Sequence, residues 1–284
     1  MKPLILCAAV TGGGPAKSPA HPVTPEAVVA SAVAAWRAGA AVLHLHARRP
    51  DGGTTMDPAV YADLVRAIRA EGCDALISLS AGDDGGRASH AQRLAVADAG
   101  GDLVSLALGS FNFSGRLYDN RPDYVTGMAE RIRARGAIPE FEVFDTGHLH
   151  ALDRLLAEGL AASPVWVDLV LGLRGCLPAD PALLPHLVAR LPPQAEWAVT
   201  IHGGDHERFL AVAMHAFVSG GHIRTGLEDH PYARPGEFAQ SNAAMVAQWV
   251  ETARLWGRPV ATPEEARRMI GGRMAAPAAA PAVG

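Results

Sequence analysis

Eight short β-rich runs, each followed by a stretch with helical spacing, constrain this chain more than any other feature. The runs are Leu4–Val10, Ala41–His46, Leu76–Ser80, Leu103–Leu108, Ile138–Phe144, Val165–Leu171, Trp197–Ile201 and His222–Thr225. Helical patterns fill the gaps near 24–38, 58–71, 88–98, 121–135, 148–159, 180–190, 205–219 and 236–256. The first helix carries its own punctuation, with Thr24 as N-cap, Pro25 at the first position and Gly39 as the stop. Runs as apolar as Val165–Leu171 belong to a parallel sheet covered on its outer face. Eight such β-α units predict an α/β fold, a (β/α)8 TIM barrel forming one domain over residues 1–271, in preference to an open sheet.

Composition narrows the class further. Apolar residues make up 49% and charged residues 19%, and 25 Lys and Arg against 29 Asp and Glu give a net charge of −4. Disorder requires the opposite balance, and a nucleic-acid groove requires a basic block that is not here. No apolar run approaches the roughly 18 residues of a membrane span, and the N-terminal one is too short for a signal-peptide core. Cys7, Cys73 and Cys176 are odd in number and widely spaced, which fits a reducing compartment. The expectation is a cytoplasmic protein without membrane or nucleic-acid partners. Thr262-Pro263-Glu264-Glu265 has the form of a capping box opening a last helix. The Ala/Pro-rich tail, 272–284, is expected to be disordered or to form an arm on a neighbouring subunit.

A barrel of this kind places its active site at the C-terminal ends of its strands. The second run delivers His44-Leu45-His46 there. Residues i and i+2 of a strand share a face about 6–7 Å apart, so both imidazoles project into the barrel mouth. That suits two ligands of one zinc ion, although a bare HxH also occurs for packing or hydrogen bonding. A catalytic zinc takes a third protein ligand. Spacing cannot identify it, but ring closure sets the last strand beside the first, which makes Glu228 a reasonable choice. Glu140 and Glu142 share one strand face, and an inward pair of like charges needs protons, cations or hydrogen bonds to compensate it. Ser80 could be a helix cap, and Arg224 could pair with Asp168 or Glu142 in the core. His21, His90, His186, His206 and His215 read as surface or helix residues, and His148, His202 and His222 as less settled. Thr11-Gly12-Gly13-Gly14 lacks the GK[ST] of a phosphate loop.

Several stretches together resemble the β-keto acid cleavage enzymes. They include Val23-Thr24-Pro25-Glu26, Ala38 through Arg48, Gly109-Ser110-Phe111-Asn112-Phe113, Pro139-Glu140-Phe141-Glu142-Val143-Phe144-Asp145, Gly221 through Asp229 and Ala239-Gln240-Ser241-Asn242-Ala243, within a likeness over roughly 4–271. The resemblance implies a zinc-dependent barrel that condenses a β-keto acid with acetyl-CoA to give acetoacetate and a new acyl-CoA. It implies His44, His46 and Glu228 as zinc ligands, Arg224 and Asp229 as a catalytic dyad, and Glu142 as the strand-five glutamate, with Glu140 the less certain match. It places Ser80 against substrate, and Thr11, Gly82, Ser110 and Glu140 complete the expected substrate contacts. A homotetramer is implied as well. One departure stands out: the loop after the first strand reads Gly12-Gly13-Gly14, where the amine-substrate member carries a glutamate.

From these residues zinc would act as a Lewis acid on the keto oxygen while Asp229, held by Arg224, takes a C2 proton. Arg48, Arg49, Arg87, Arg116 and Arg174 lie in loops that could meet the phosphates of CoA, and each could equally be a solvated loop arginine. The alternatives are a metal-dependent barrel hydrolase or aldolase working without acetyl-CoA, and a non-catalytic metal-binding scaffold.

Overall fold

The computed structural model describes residues 1–271 apart from Gly204, so the tail of 272–284 lies outside the described residues. Twelve strands occur among them: β1 (Leu6–Ala9), β2 (Val42–Leu45), β3 (Leu76–Leu79), β4 (Leu103–Ala107), β5 (Phe111–Phe113), β6 (Arg116–Tyr118), β7 (Ile138–Val143), β8 (Trp166–Leu171), β9 (Glu196–Ile201), β10 (His222–Thr225), β11 (Tyr232–Arg234) and β12 (Glu237–Phe238). Eight close into one barrel in the order β1-β10-β9-β8-β7-β4-β3-β2, all parallel. The eight expected runs are these eight strands, and the barrel is a (β/α)8 TIM barrel.

The helices α1 (Pro25–Arg37), α2 (Pro58–Ala70), α3 (His90–Ala95), α4 (Pro122–Ala134), α5 (Thr146–Ala157), α6 (Leu184–Val188), α7 (His206–Val218) and α8 (Asn242–Leu255) occupy the expected gaps. Their ends follow the sequence signals. Thr24 caps α1 through a bond from the Ala27 amide at 3.3 Å. Thr262 and Glu265 form the full capping box of α9 (Pro263–Ile270).

Two features differ from the sequence expectation. The β5–β6 and β11–β12 segments are antiparallel hairpins. The second replaces the front of the helix expected from 236, so α8 starts only at Asn242. Runs of two or three residues are too short to show a period.

The two faces of each strand have different work. Odd positions of β8, such as Val167, Leu169 and Leu171, pack outward in the main core with the helices. Inward positions form layers. The lowest holds Ile5, Val42, Leu76, Leu103 and Trp166, and α9 closes the barrel floor with Ala266 and Ile270. Above it the interior turns polar, with His44, Ser78, Glu140, Asp168, Thr200 and Arg224 all buried. Burying charges is unfavourable unless they are paired, so this layer reads as a built site rather than as core.

Candidate metal centre and substrate cavity

The site sits on the seam where β10, β1 and β2 adjoin. His44 ends the inward face of β2, and His46 follows two residues later with ring centroids 5.6 Å apart. Glu228 reaches them from the loop after β10 because the chain folds back over β1. Gly226 makes that possible: its φ is +151°, and a Cβ there would stand 2.0 Å from the Ala9 carbonyl oxygen. Gly12, at φ +67°, lies so close beneath Glu228 that a Cβ would meet its Cγ at 2.8 Å.

Glu228 Oε1 then lies 3.4 Å from His46 Nε2 and 3.7 Å from His44 Nε2. One ligand atom from each of the three falls within 4.8 Å of the others. Glu228 Oε2 is buried and has no hydrogen-bond partner among the described residues. An orphaned buried carboxylate oxygen is unfavourable, and a cation between it and the two imidazoles would satisfy it. Two imidazole nitrogens and one carboxylate oxygen, exposed on one side to a cavity, fit a three-ligand zinc site.

The surrounding groups orient this triad. His44 Nδ1 lies 2.9 Å from Glu140 Oε2. Ser78 Oγ donates to the same oxygen at 2.6 Å, and Trp166 Nε1 donates to Oε1 at 3.3 Å. Arg224 gathers three carboxylates. Its Nη2 donates to Glu228 Oε1 at 2.6 Å, its Nε to Asp229 Oδ2 at 2.9 Å, and its Nη1 lies 3.5 Å from Asp168 Oδ2. Asp168 also accepts from Thr200 Oγ1 at 2.6 and 2.8 Å.

Charge states follow from this packing. Burial pushes the Glu228 carboxyl up, but Arg224, His46 and His44 outweigh it and hold the group well below the carboxylate range. Burial likewise opposes ionisation of Glu140, and His44 overcomes it. Glu142 has no such hydrogen-bonded partner. Burial raises it to about 8 despite the pull of His44, so the carboxyl is protonated at neutral pH. Burial also lowers His202 to about 4 against the pull of Asp229, keeping that ring neutral.

A cavity of about 900 Å³ opens above the triad. Thr11, Gly82, Ser80, Glu142 and Arg224 line it with the three ligand candidates, as does His202. Phe113, Phe144, Val170 and Leu173 form an apolar wall on the β7–β8 side. Other expected site residues stand elsewhere. Glu140 is behind His44, facing Ser78 and Trp166. Ser110 is exposed at the base of the β5–β6 hairpin, where its Oγ accepts from the Asn120 amide at 2.7 Å. Asp229 is 2% exposed and lies behind the cavity wall. Thr11 lines the cavity, but its hydroxyl is engaged, donating to Pro22 O at 2.5 Å and accepting from Arg48 Nε at 2.7 Å.

The arginines divide. Arg48 is buried and staples the β1 loop by donating to the carbonyls of Thr11, Gly12, Gly14 and Gly52. Arg49, Arg87 and Arg116 line the cavity, the last two paired with Asp84 and Asp83. Arg174 is not on the wall; its backbone carbonyl accepts from Ser114 N. His21 is buried rather than on the surface, its ring against the Thr11 carbonyl. Lys17, which donates to the Glu228 carbonyl, is a wall residue to which the sequence assigned no role, and His202, one of the histidines that the sequence leaves less settled, is a wall residue too. Lys17 lies in the loop after β1, and His202 directly follows β9.

Fold and site together define a (β/α)8 barrel with a His-x-His-plus-carboxylate set, a candidate metal site, beneath a cavity of about 900 Å³. The sequence profile of the β-keto acid cleavage enzymes matches residues 3–271, and the chain belongs to that family. It is 34% identical to a 3-oxoadipate:acetyl-CoA acetyltransferase of Cupriavidus necator, over 95% of each chain. It is also 34% identical to a 3-keto-5-aminohexanoate cleavage enzyme of Acetoanaerobium sticklandii, over 95% of this chain and 99% of that one. Among solved structures it superimposes on apo ObcA with a TM-score of 0.76 at 23% identity, over 89% of this chain and 66% of ObcA, a likeness of fold alone.

Proposed function

We propose that this protein is a zinc-dependent transferase that condenses a β-keto acid with acetyl-CoA and cleaves the adduct to acetoacetate and a new acyl-CoA. The observation that carries this is the convergence of His44, His46 and Glu228 with the Arg224–Asp229 pair at one cavity. The names of the relatives support the reaction class. Held by His44, His46 and Glu228, zinc supplies Lewis acidity toward a carbonyl oxygen.

The chain's own groups do the remaining work. Ser80 and Gly82 flank the triad and bind the carboxylate end of the β-keto acid. Arg224 fixes Asp229 with two hydrogen bonds, at 2.9 and 3.0 Å, so that the carboxylate drives removal of a C2 proton. Arg224 stays a cation and cannot itself be the base. Protonated Glu142 donates a hydrogen bond to an oxygen that gains charge. The C2 carbanion then forms a bond to the acetyl carbonyl carbon and the CoA thiolate leaves. That thiolate adds to the original keto carbon, the C2–C3 bond breaks, and the released acetoacetate carbanion regains a proton at C2. The apolar wall and the arginines at the rim receive the pantetheine arm and phosphates of CoA. No protein nucleophile is needed.

The test is a screen of β-keto acids with zinc-loaded protein and acetyl-CoA, reading acetoacetate. Acetyl-CoA-dependent acetoacetate supports the reading. Consumption of substrate in water without acetyl-CoA would instead support the hydrolase or aldolase alternative. The same reading carries a homotetramer, which light scattering would test.

A further inference from the structure

Proton removal from the substrate meets an obstacle in the geometry. Asp229 is 2% exposed, stands behind the cavity wall, and has both carboxylate oxygens engaged by Arg224. With both oxygens held by Arg224 and no place on the cavity wall, Asp229 meets the cavity only through the residues that line it.

His202 is one of these residues. It follows β9, one strand from β10, and lines the cavity, and its Nε2 lies 3.7 Å from Asp229 Oδ1. Neither ring nitrogen makes a hydrogen bond among the described residues. The backbone beside it is anchored, because His230 Nδ1 lies 2.8 Å from the Gly203 carbonyl. A carboxylate next to Nε2 favours the proton on that nitrogen and leaves the Nδ1 lone pair free. A buried carboxylate beside an imidazole that faces the cavity is the order of parts an oriented base uses.

We propose that His202 is a catalytic residue, taking the proton that leaves C2 of the β-keto acid, with Asp229 stabilising the imidazolium. The C2–H bond breaks, its electron pair stays on carbon as the nucleophile, and the proton rests on Nδ1 until the acetoacetate carbanion takes it back. Atoms and charge balance with no further reagent. Asp229 becomes a positioning residue. The proposal rests on the functional reading above and replaces only the atom that receives the proton.

The test uses the full-length zinc-loaded protein with whichever β-keto acid the screen identifies. His202→Ala is expected to lower kcat about 100-fold or more while KM for both substrates changes little. Added imidazole should restore part of the turnover of His202→Ala, where the missing ring leaves room, but not of His202→Gln, where the amide fills it. Deuterium at C2 should slow His202→Ala more than the unaltered protein. The proposal is overturned if either variant keeps kcat within about threefold of the unaltered protein. It is also overturned if a folded His202→Ala, with unchanged thermal midpoint, gains nothing from imidazole. If the unaltered protein makes no acetoacetate from any β-keto acid, the functional reading fails instead.

Discussion

Glu140 holds His44 by its Nδ1 at 2.9 Å, so the other ring nitrogen points at Glu228. The carboxylate is itself fixed by Ser78 and Trp166. A glutamate at this position therefore sets the tautomer and direction of a ligand without facing the cavity. Glu140→Gln is expected to weaken zinc affinity by about 10- to 100-fold, as loss of such supporting contacts does elsewhere. Competition with a chromophoric chelator measures this directly, and unchanged affinity would remove Glu140 from the site.

Metal removal has a stability signature. Because a cation would satisfy the buried Glu228 Oε2, zinc should bind the folded chain and not the unfolded one. Stripped protein returned to a hundredfold excess over Kd should gain about 2.7 kcal/mol. Differential scanning calorimetry should show the rise for the unaltered chain and little of it for His46→Ala.

Arg224 is the common partner of Glu228, Asp229 and Asp168. Arg224→Met would strand three buried carboxylates and should cost about 3–5 kcal/mol in urea unfolding. Arg224→Lys should lose less, since it keeps the charge but not the forked geometry. A Met variant as stable as the parent would show that these carboxylates find other partners.

Glu142 predicts a pH dependence whose sign can be worked out. Its folded value of about 8 lies above the ordinary carboxylate value near 4.3. The stability it contributes is complete below that ordinary value and is lost as pH rises through about 8. Glu142→Gln stays neutral throughout. The thermal midpoint of Glu142→Gln relative to the parent should therefore climb between about pH 5 and 9 and level off above. A flat difference across that range would show that Glu142 is ionised in the fold.

Much of this was readable from sequence, and the boundary is physical. The eight strands were legible because outward positions pack on helices, so apolar residues recur even where inward ones such as Asp168 are charged. The hairpins at Phe111–Tyr118 and Tyr232–Phe238 were not, since strands of two or three residues leave no periodic trace. His44 and His46 were legible because two residues on one strand share a face. Glu228 needed ring closure to find it. His202 follows the seventh run directly, so its place at a strand end was legible and its role was not, while Lys17 reaches the cavity from a long loop that no local pattern records. Asp229 shows the reverse: its neighbour Arg224 was legible, but its retreat behind the wall depends on side-chain packing alone.

The three metal-ligand candidates are divided between the second barrel strand and the turn after the last, with Glu228 standing 182 positions after His46. Neither portion holds a complete coordination set, and the turn at Gly226 can bring Glu228 over β1 only after β10 has docked there. Capture of an ion by this set would thus double as a checkpoint on assembly. A chain cut short ahead of residue 222 would keep both imidazoles yet lack the carboxylate, and its coordination set would stay incomplete however well its first half had formed.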